Sequence, residues 1–277
     1  MALSPDAALV DRIDRLVVPP GQLALWSLGQ AGFVLKGGRT IVYIDPYLSD
    51  SVAAIGGPAR RFPIPIDPAT IRHADLVLAT HEHMDHADAG TFGPLLAASP
   101  RAGLITSVQG GAIALDVGVA AERVIVPRLG QPLTRGDVTV TAIPAAHYAL
   151  EVDAAGQSRW MGFLIEVNGV TIYHSGDTLL IPEIPAALAG RAIDLALLPI
   201  NGRDAMREAE GLIGNLLPGE AVALAAQVRA RVLIGIHNDL FAGNRVDPGL
   251  LFSELDRRAP WQRCHLLQPG ELYLYAG

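Results

Sequence analysis

The chain of 277 residues is half hydrophobic, enough to bury a substantial core in one large or two modest domains. Its 28 acidic residues against 21 basic ones give a net charge of -7 with no Lys/Arg block, which makes long nucleic acid a poor partner. A single cysteine, Cys264, excludes an internal disulfide framework, and no uninterrupted apolar run reaches membrane-spanning length; the expectation is a cytoplasmic protein with no membrane partner and a buried thiol.

Residues 1–16, MALSPDAALVDRIDRL, read as a short amphipathic helix, unlike a basic region followed by an apolar signal core. LALWSLG (23–29), AGFVLKG (31–37) and TIVYIDP (40–46) read as strands, with Gly37 and Gly38 turning between the last two. The Pro/Gly-rich segment SDSVAAIGGPARRFPIPIDP departs from regular structure and is long enough to cover a site, before Asp67 and Pro68 open a short capped helix over ATIRHA. DLVLAT (75–80) is a strand that runs into ATHEHMDH (79–86), and HADAGTFGPLLAA carries helical periodicity. Strands GLITS, ERVIVP and DVTVTAIPAA follow, with a weaker helix GGAIALDVG among them. WMGFLIEV and VTIYHSGDT form a hairpin around Asn168 and Gly169.

The second half continues with DLALLPI (194–200), a polar loop, the helix PGEAVALAAQVRA, the strand RVLIGIH, a last helix PGLLFSELDRRA and two short strands, CHLLQ and ELYLYAG. No linker-like segment separates independent domains, so residues 1–277 are expected to form a single domain: two facing sheets with helices outside, whose strand ends meet over one cleft.

Polar residues at those strand ends carry the chemistry. His81 and His83, two apart on an extended segment, point to one side, and Asp85 and His86 follow where the chain turns toward a helix. Left without a counter-ion, such a cluster would strand polar atoms, whereas imidazole with carboxylate suits zinc, iron or manganese. His147, Asp177 and His237 are delivered later in the same way, each after an apolar strand. Alternation turns Glu82 away from His81 and His83, toward the surface or a supporting role. His73 and His265 have no such setting, while His174 can orient a ligand through its other nitrogen and Asp45 can support the ligand histidines.

The HxHxDH motif at 81–86, followed by His147, Asp177 and His237, resembles the metallo-β-lactamase fold superfamily over nearly the whole chain. That resemblance implies an α+β protein, a four-layer αββα sandwich with two divalent ions, manganese or zinc with iron also admitted. His81, His83 and His147 would hold the first, Asp85, His86 and His237 the second, and Asp177 would bridge them. Aspartate at 177, where antibiotic-hydrolysing members often place a cysteine, points away from a β-lactamase. PPGQLALWSLGQAGFVLKGG, GVTIYHSGDT and ARVLIGIHNDLFAGNRVDP are similar to stretches of the bacterial ascorbate-6-phosphate lactonase branch, which implies a phosphorylated sugar-acid lactone and a homo-oligomer. Two departures from that branch stand out: the histidine at 147, and shorter segments around 48–62 and 147–160.

The expected chemistry is hydrolysis of a lactone or related ester by a hydroxide held between the ions, with Asp85 and Asp177 as catalytic groups and Asp85 orienting the nucleophile. Asn201, Arg203, Arg207 and Asn215 in the polar loop, with Asn238 beside a ligand, are the candidates to meet a small anionic substrate. A phosphodiesterase or nuclease using the same ions is the competing enzyme, and a non-catalytic metal-binding structural protein the competing class.

Overall fold

The computed structural model describes residues 5–147, 149–212 and 214–277. Two seven-stranded sheets stack face to face. The first contains β1 (Gln22–Gly29), β2 (Gly32–Gly37), β3 (Thr40–Ile44), β4 (Leu76–Leu78), β5 (Gly103–Ile105), β6 (Val124–Ile125) and, beside β1, the C-terminal strand β14 (Leu272–Ala276). The second runs in the order β13 (Arg263–Leu266), β12 (Val232–Ile236), β11 (Leu195–Pro199), β10 (Val170–His174), β9 (Met161–Val167), β8 (Val138–Pro144) and β7 (Pro132–Arg135).

Three apolar layers account for this stacking. Leu25, Phe33, Leu35 and Ile44 of the first sheet meet Phe163, Ile165, Leu197 and Ile234 of the second in one central cluster. Outside the first sheet, Trp26, Tyr43 and Val77 pack with Ile13 of α1 (Pro5–Arg15) and with Phe92 and Leu95 of α3 (Ala89–Ala98), and α4 (Val108–Asp116) lends Ala114. Tyr173, Leu198 and Leu233 pack outside the second against Ile184 of α5 (Glu183–Ala187), Leu224 of α7 (Pro218–Gln227) and Leu251 of α8 (Gly249–Arg258). The central strands are thus apolar on both faces, as a sheet covered on both sides requires, and each large side chain so buried is worth about 1.5–3 kcal/mol. The expected four-layer αββα sandwich is the observed architecture.

The β9–β10 hairpin turns at Asn168 (φ 54) and Gly169 (φ 81), the two left-handed residues that such a tight turn needs. Several local expectations are corrected. The helix expected after Pro68 is a single 3-10 turn, Pro68–Thr70, because Ile71 is drawn extended into the outer apolar layer. The irregular segment after Asp50 contains one helical turn, α2 (Ser51–Ala54), and the polar loop contains another, α6 (Ala205–Ala209), capped by the Asp204 carboxylate. Strand β7 is exposed and has no apolar alternation; it forms because an edge position beside β8 tolerates its leading proline. Cys264 is half-buried on β13, although burial still pushes its thiol up to about 12. Among the described residues no helix is long and apolar enough to cross a membrane.

Candidate metal centre

Asp45 follows β3, the run from Thr80 to His86 follows β4, His147 follows β8, Asp177 follows β10 and His237 follows β12. All five segments emerge at one edge of the sandwich, where backbone hydrogen bonding stops and side chains are free to converge. Three donor sets meet there, each with its ligand atoms within 4.8 Å of one another: His81, His83 and His147; His81, His86 and Asp177; Asp85, His86 and His237. The chain between Thr80 and His86 bends rather than staying extended, since the His83 carbonyl accepts from the amides of His86 (2.9 Å) and Ala87 (2.8 Å). The same turn brings His86 beneath His81, their ring centroids 4.1 Å apart.

The backbone at the edge is held under strain. Gln30 (φ 57), Asp45 (φ 42) and His237 (φ 61) are left-handed without being glycine, each at a cost of about 1–3 kcal/mol. The Gln30 carbonyl accepts from the His237 amide at 2.8 Å, and the Gln30 amide donates to Asp239 Oδ1 at 2.8 Å, so the two turns fix each other. Gln30 Nε2 donates to Asp85 Oδ2 at 2.7 Å. Behind His86, Asp45 is fully buried and accepts from His86 Nδ1 (2.7 Å), from Thr80 Oγ1 (2.8 Å) and from the Thr80 amide (2.8 Å). With Nδ1 donating, it is His86 Nε2 that carries the lone pair toward the cluster once the ring is neutral.

Electrostatics divide the cluster in two. Burial, reinforced by neighbouring imidazoles, holds His81 well below the usual histidine range, and burial likewise lowers His83 and brings His147 down to about 4. These three rings are neutral and ready to donate lone pairs. Burial alone would also lower His86 and His237, but carboxylates outweigh it: Asp177, Asp45 and Asp85 raise His86, while Asp177 and Asp85 push His237 up to about 9. Asp177 lies well below the usual carboxylate range because His237 and His86 overcome its burial.

This donor set fits two divalent cations. His147 Nε2 faces His81 Nε2 at 3.4 Å and His86 Nε2 faces His237 Nε2 at 3.4 Å, pairs of ring nitrogens that a shared cation reconciles. Asp177 Oδ1 is buried and lacks a hydrogen-bond donor among the described residues, an expensive position for a carboxylate oxygen unless a cation takes it. Protons on both His86 and His237 must leave before their Nε2 atoms can coordinate, so metal affinity is expected to rise by at least about tenfold per pH unit up to about pH 9. Chelator-competition titrations at successive pH values check this; an affinity flat between pH 6 and 9 contradicts it.

Trp160 presents its edge to His81, His83 and His147, with centroids 5.3, 5.3 and 4.6 Å away, and forms an apolar wall on that side. Nothing in the sequence marks it except its place next to β9. Glu82 does turn away, accepting from Arg159 Nε at 2.7 Å. His174 bonds no ligand side chain; it lies between the Ala31 carbonyl (2.8 Å) and the Gly176 amide (3.2 Å) and so fixes the loop that carries Asp177. His73 bonds Tyr43 and Asp14 away from the cluster, and His265 packs at a tilt against Tyr273 at the second sheet's edge.

A cavity of about 480 Å³ opens over the cluster, lined by His83, Asp85, Asp177 and His237 below and by Val52, Pro58, Leu212, Phe241, Glu210, Gly211, Gly243 and Asn244 around it. Val52 and Pro58 come from the segment after Asp50, which therefore does flank the site. Asn201, Arg203, Asn215 and Asn238 are not among these lining residues. Asn201 and Asn215 are fully buried and bonded to each other at 3.2 Å, Arg203 forms a two-pronged pair with Glu220 (2.6 and 2.8 Å), and Asn238 ties down the Val246 backbone. A larger hollow of about 670 Å³ lies at the opposite ends of β11 and β12 and contains none of the candidate ligands.

The family model described as a beta-lactamase superfamily domain matches residues 40–238. A probable L-ascorbate-6-phosphate lactonase of Escherichia coli is 27% identical, the match covering 87% of this chain and 76% of that protein. A metal-dependent hydrolase of Thermus thermophilus is 28% identical over 88% of this chain and 96% of its own. Among solved structures, the metallo hydrolase Igni18 from Ignicoccus hospitalis superposes with a TM-score of 0.70 at 20% identity, covering 92% of this chain and 98% of the other, a likeness of fold.

Proposed function

We propose, from the premise that this chain belongs to the beta-lactamase superfamily, that it is a divalent-metal-dependent hydrolase opening a lactone or related ester. The observation that carries the reading is the convergence of seven His and Asp side chains, four of which line one open cavity, with a buried Asp177 oxygen that lacks a donor among the described residues. We assign His81, His83 and His147 to one ion and Asp85, His86 and His237 to the other, with Asp177 between them. When bound, such cations lower the pKa of water and polarise a carbonyl. The protein's own groups do the positioning. Asp45 keeps the His86 proton on Nδ1, and Gln30 fixes Asp85 through Oδ2. Asp85 is part of the cavity floor, within reach of a nucleophile's proton. Trp160 and Phe241 keep bulk water from two sides.

A lactone is the first substrate class to test, because the Escherichia coli relative is named for one. The single half-buried thiol supports a reducing, cytoplasmic compartment, and we carry the homo-oligomeric state forward from the same branch. The decisive assay incubates protein loaded with manganese or zinc with matched lactone, amide and phosphodiester panels. Ring opening of lactones is expected; turnover of phosphodiesters alone overturns the reading in favour of a phosphodiesterase, and tight metal binding with no turnover favours a structural role.

A further inference from the structure

The walls of the cavity speak to what the ester carries. Its floor is the ligand cluster, which meets the reacting carbonyl of any substrate. The sides are Val52, Pro58, Leu212 and Phe241, and Phe241 belongs to a small apolar cluster with Tyr47 and Leu240 that joins the loops after β3 and β12. Among the described residues no lysine or arginine lines the cavity. Nearby guanidinium groups donate to protein acceptors: Arg61 and Arg245, which line the adjoining cavity at His237, bond the Asp239 and Asn238 carbonyls at 2.8 and 2.9 Å. Arg207 binds Asp204 at 2.6 Å and the Asn201 carbonyl at 2.9 Å, and Arg60 is held by the Tyr47 and Ser49 carbonyls. Arg159 pairs with Glu82, and Lys36, the chain's one lysine, is buried against the Ile13 and Asp14 carbonyls.

The ionisable group that remains at the rim is Glu210, exposed and without an ion pair among the described residues. Beside it, Asn244 has a fixed orientation: Arg207 can only donate, so the atom it touches at 3.2 Å is the amide oxygen, which also accepts from Asn201 Nδ2 at 2.8 Å. Its NH2, without a partner among the described residues, is an uncharged donor suited to a substrate oxygen. The loop polar residues thus act at one remove, through Asn215, Asn201 and Arg207 onto Asn244.

We propose that this cleft selects an ester or lactone whose substituent is apolar and either uncharged or cationic, with Glu210 disfavouring phosphate- or carboxylate-bearing substituents and Asn244 binding a neutral oxygen. This rests on the hydrolase reading and narrows its substrate class. A cavity of about 480 Å³ holds a small molecule with a short aliphatic or aryl tail. Every member of a matched series would present the same carbonyl to cations held at the floor, and the Glu210→Lys comparison isolates the contribution of the rim.

The test uses the full-length, metal-loaded protein and γ-lactones carrying alkyl, ammonium-alkyl or phosphorylated alkyl tails of equal length. The corresponding lactams serve as binding probes by calorimetry. Alkyl and ammonium lactones are expected to exceed the phosphorylated one in kcat/KM by about tenfold or more, with lactam affinities in the same order. Glu210→Lys is expected to shift the ammonium-to-phosphate ratio by about tenfold toward phosphate, while Glu208→Lys, two residues earlier on α6 and outside the cavity, moves it less than about twofold. Preference for the phosphorylated compound, or equal shifts from the two variants, overturns the proposal while leaving the hydrolase intact. If no lactone opens, the lactone reading falls, and the lactam affinities still decide the charge preference.

Discussion

Replacing Asp177 by alanine is expected to reduce bound metal from two ions per chain to one or fewer and to slow ester hydrolysis about a thousandfold. Asp177 is the carboxylate that reaches both halves of the cluster, with Oδ2 3.2 Å from His237 Nε2 and 3.8 Å from His147 Nε2, and Oδ1 3.4 Å from His86 Nε2. Without it, His86 and His237 lose the first of the carboxylates that hold them above the usual range, and the two trios lose their common member. Elemental analysis of the purified variant, alongside its kinetics, checks both halves. Two retained ions with an unchanged rate contradict the bridging assignment.

The second large effect is expected at Asp45, which touches no substrate. Asp45→Ala removes the acceptor for three buried donors and leaves His86 facing a void; a loss of about 3–5 kcal/mol in unfolding free energy follows. Asp45→Asn keeps the volume and separates stability from ligation. With the amide oxygen kept toward the Thr80 amide, its NH2 faces His86 Nδ1, which must then accept, and the ring proton moves to Nε2, the nitrogen facing Asp177 and His237. Affinity for the second ion is therefore expected to fall about 10–100-fold while most of the fold's stability is retained. Chemical denaturation and metal titration of both variants give the two readouts. An Asp45→Asn protein with wild-type affinity contradicts the positioning role.

Much of this site is legible in the sequence because its donors are polar residues placed where apolar strands stop. The polar motif from His81 to His86 and the strand ends at His147, Asp177 and His237 need no knowledge of tertiary contacts to be singled out, and neither does Asp45 at the end of β3, although the bend of the motif is not legible. Two facing sheets with helices outside follow from strands recurring in both halves with helices between them, but the periodicity of short, doubly buried strands does not say which sheet each joins. Contacts made across the fold are where sequence reading runs out. Arg203 looks available until Glu220, seventeen positions along, takes both prongs of its guanidinium. Asn201 and Asn215 look like loop polarity until they are found buried against each other. Conversely, Val52, Leu212 and Phe241 carry no local sign of lining a cavity; packing between distant loops puts them there. Strand β7 lacks alternation, and its pairing with β8 alone makes it a strand.

Anomalous diffraction from crystals of the protein grown with saturating manganese or zinc tests the centre most directly. Two peaks are expected, one among His81, His83 and His147 and the other among Asp85, His86 and His237, with an Asp177 oxygen contacting each. A lone peak outside both trios, or no peak at this edge of the sandwich, contradicts the two-ion site on which the proposed hydrolysis depends.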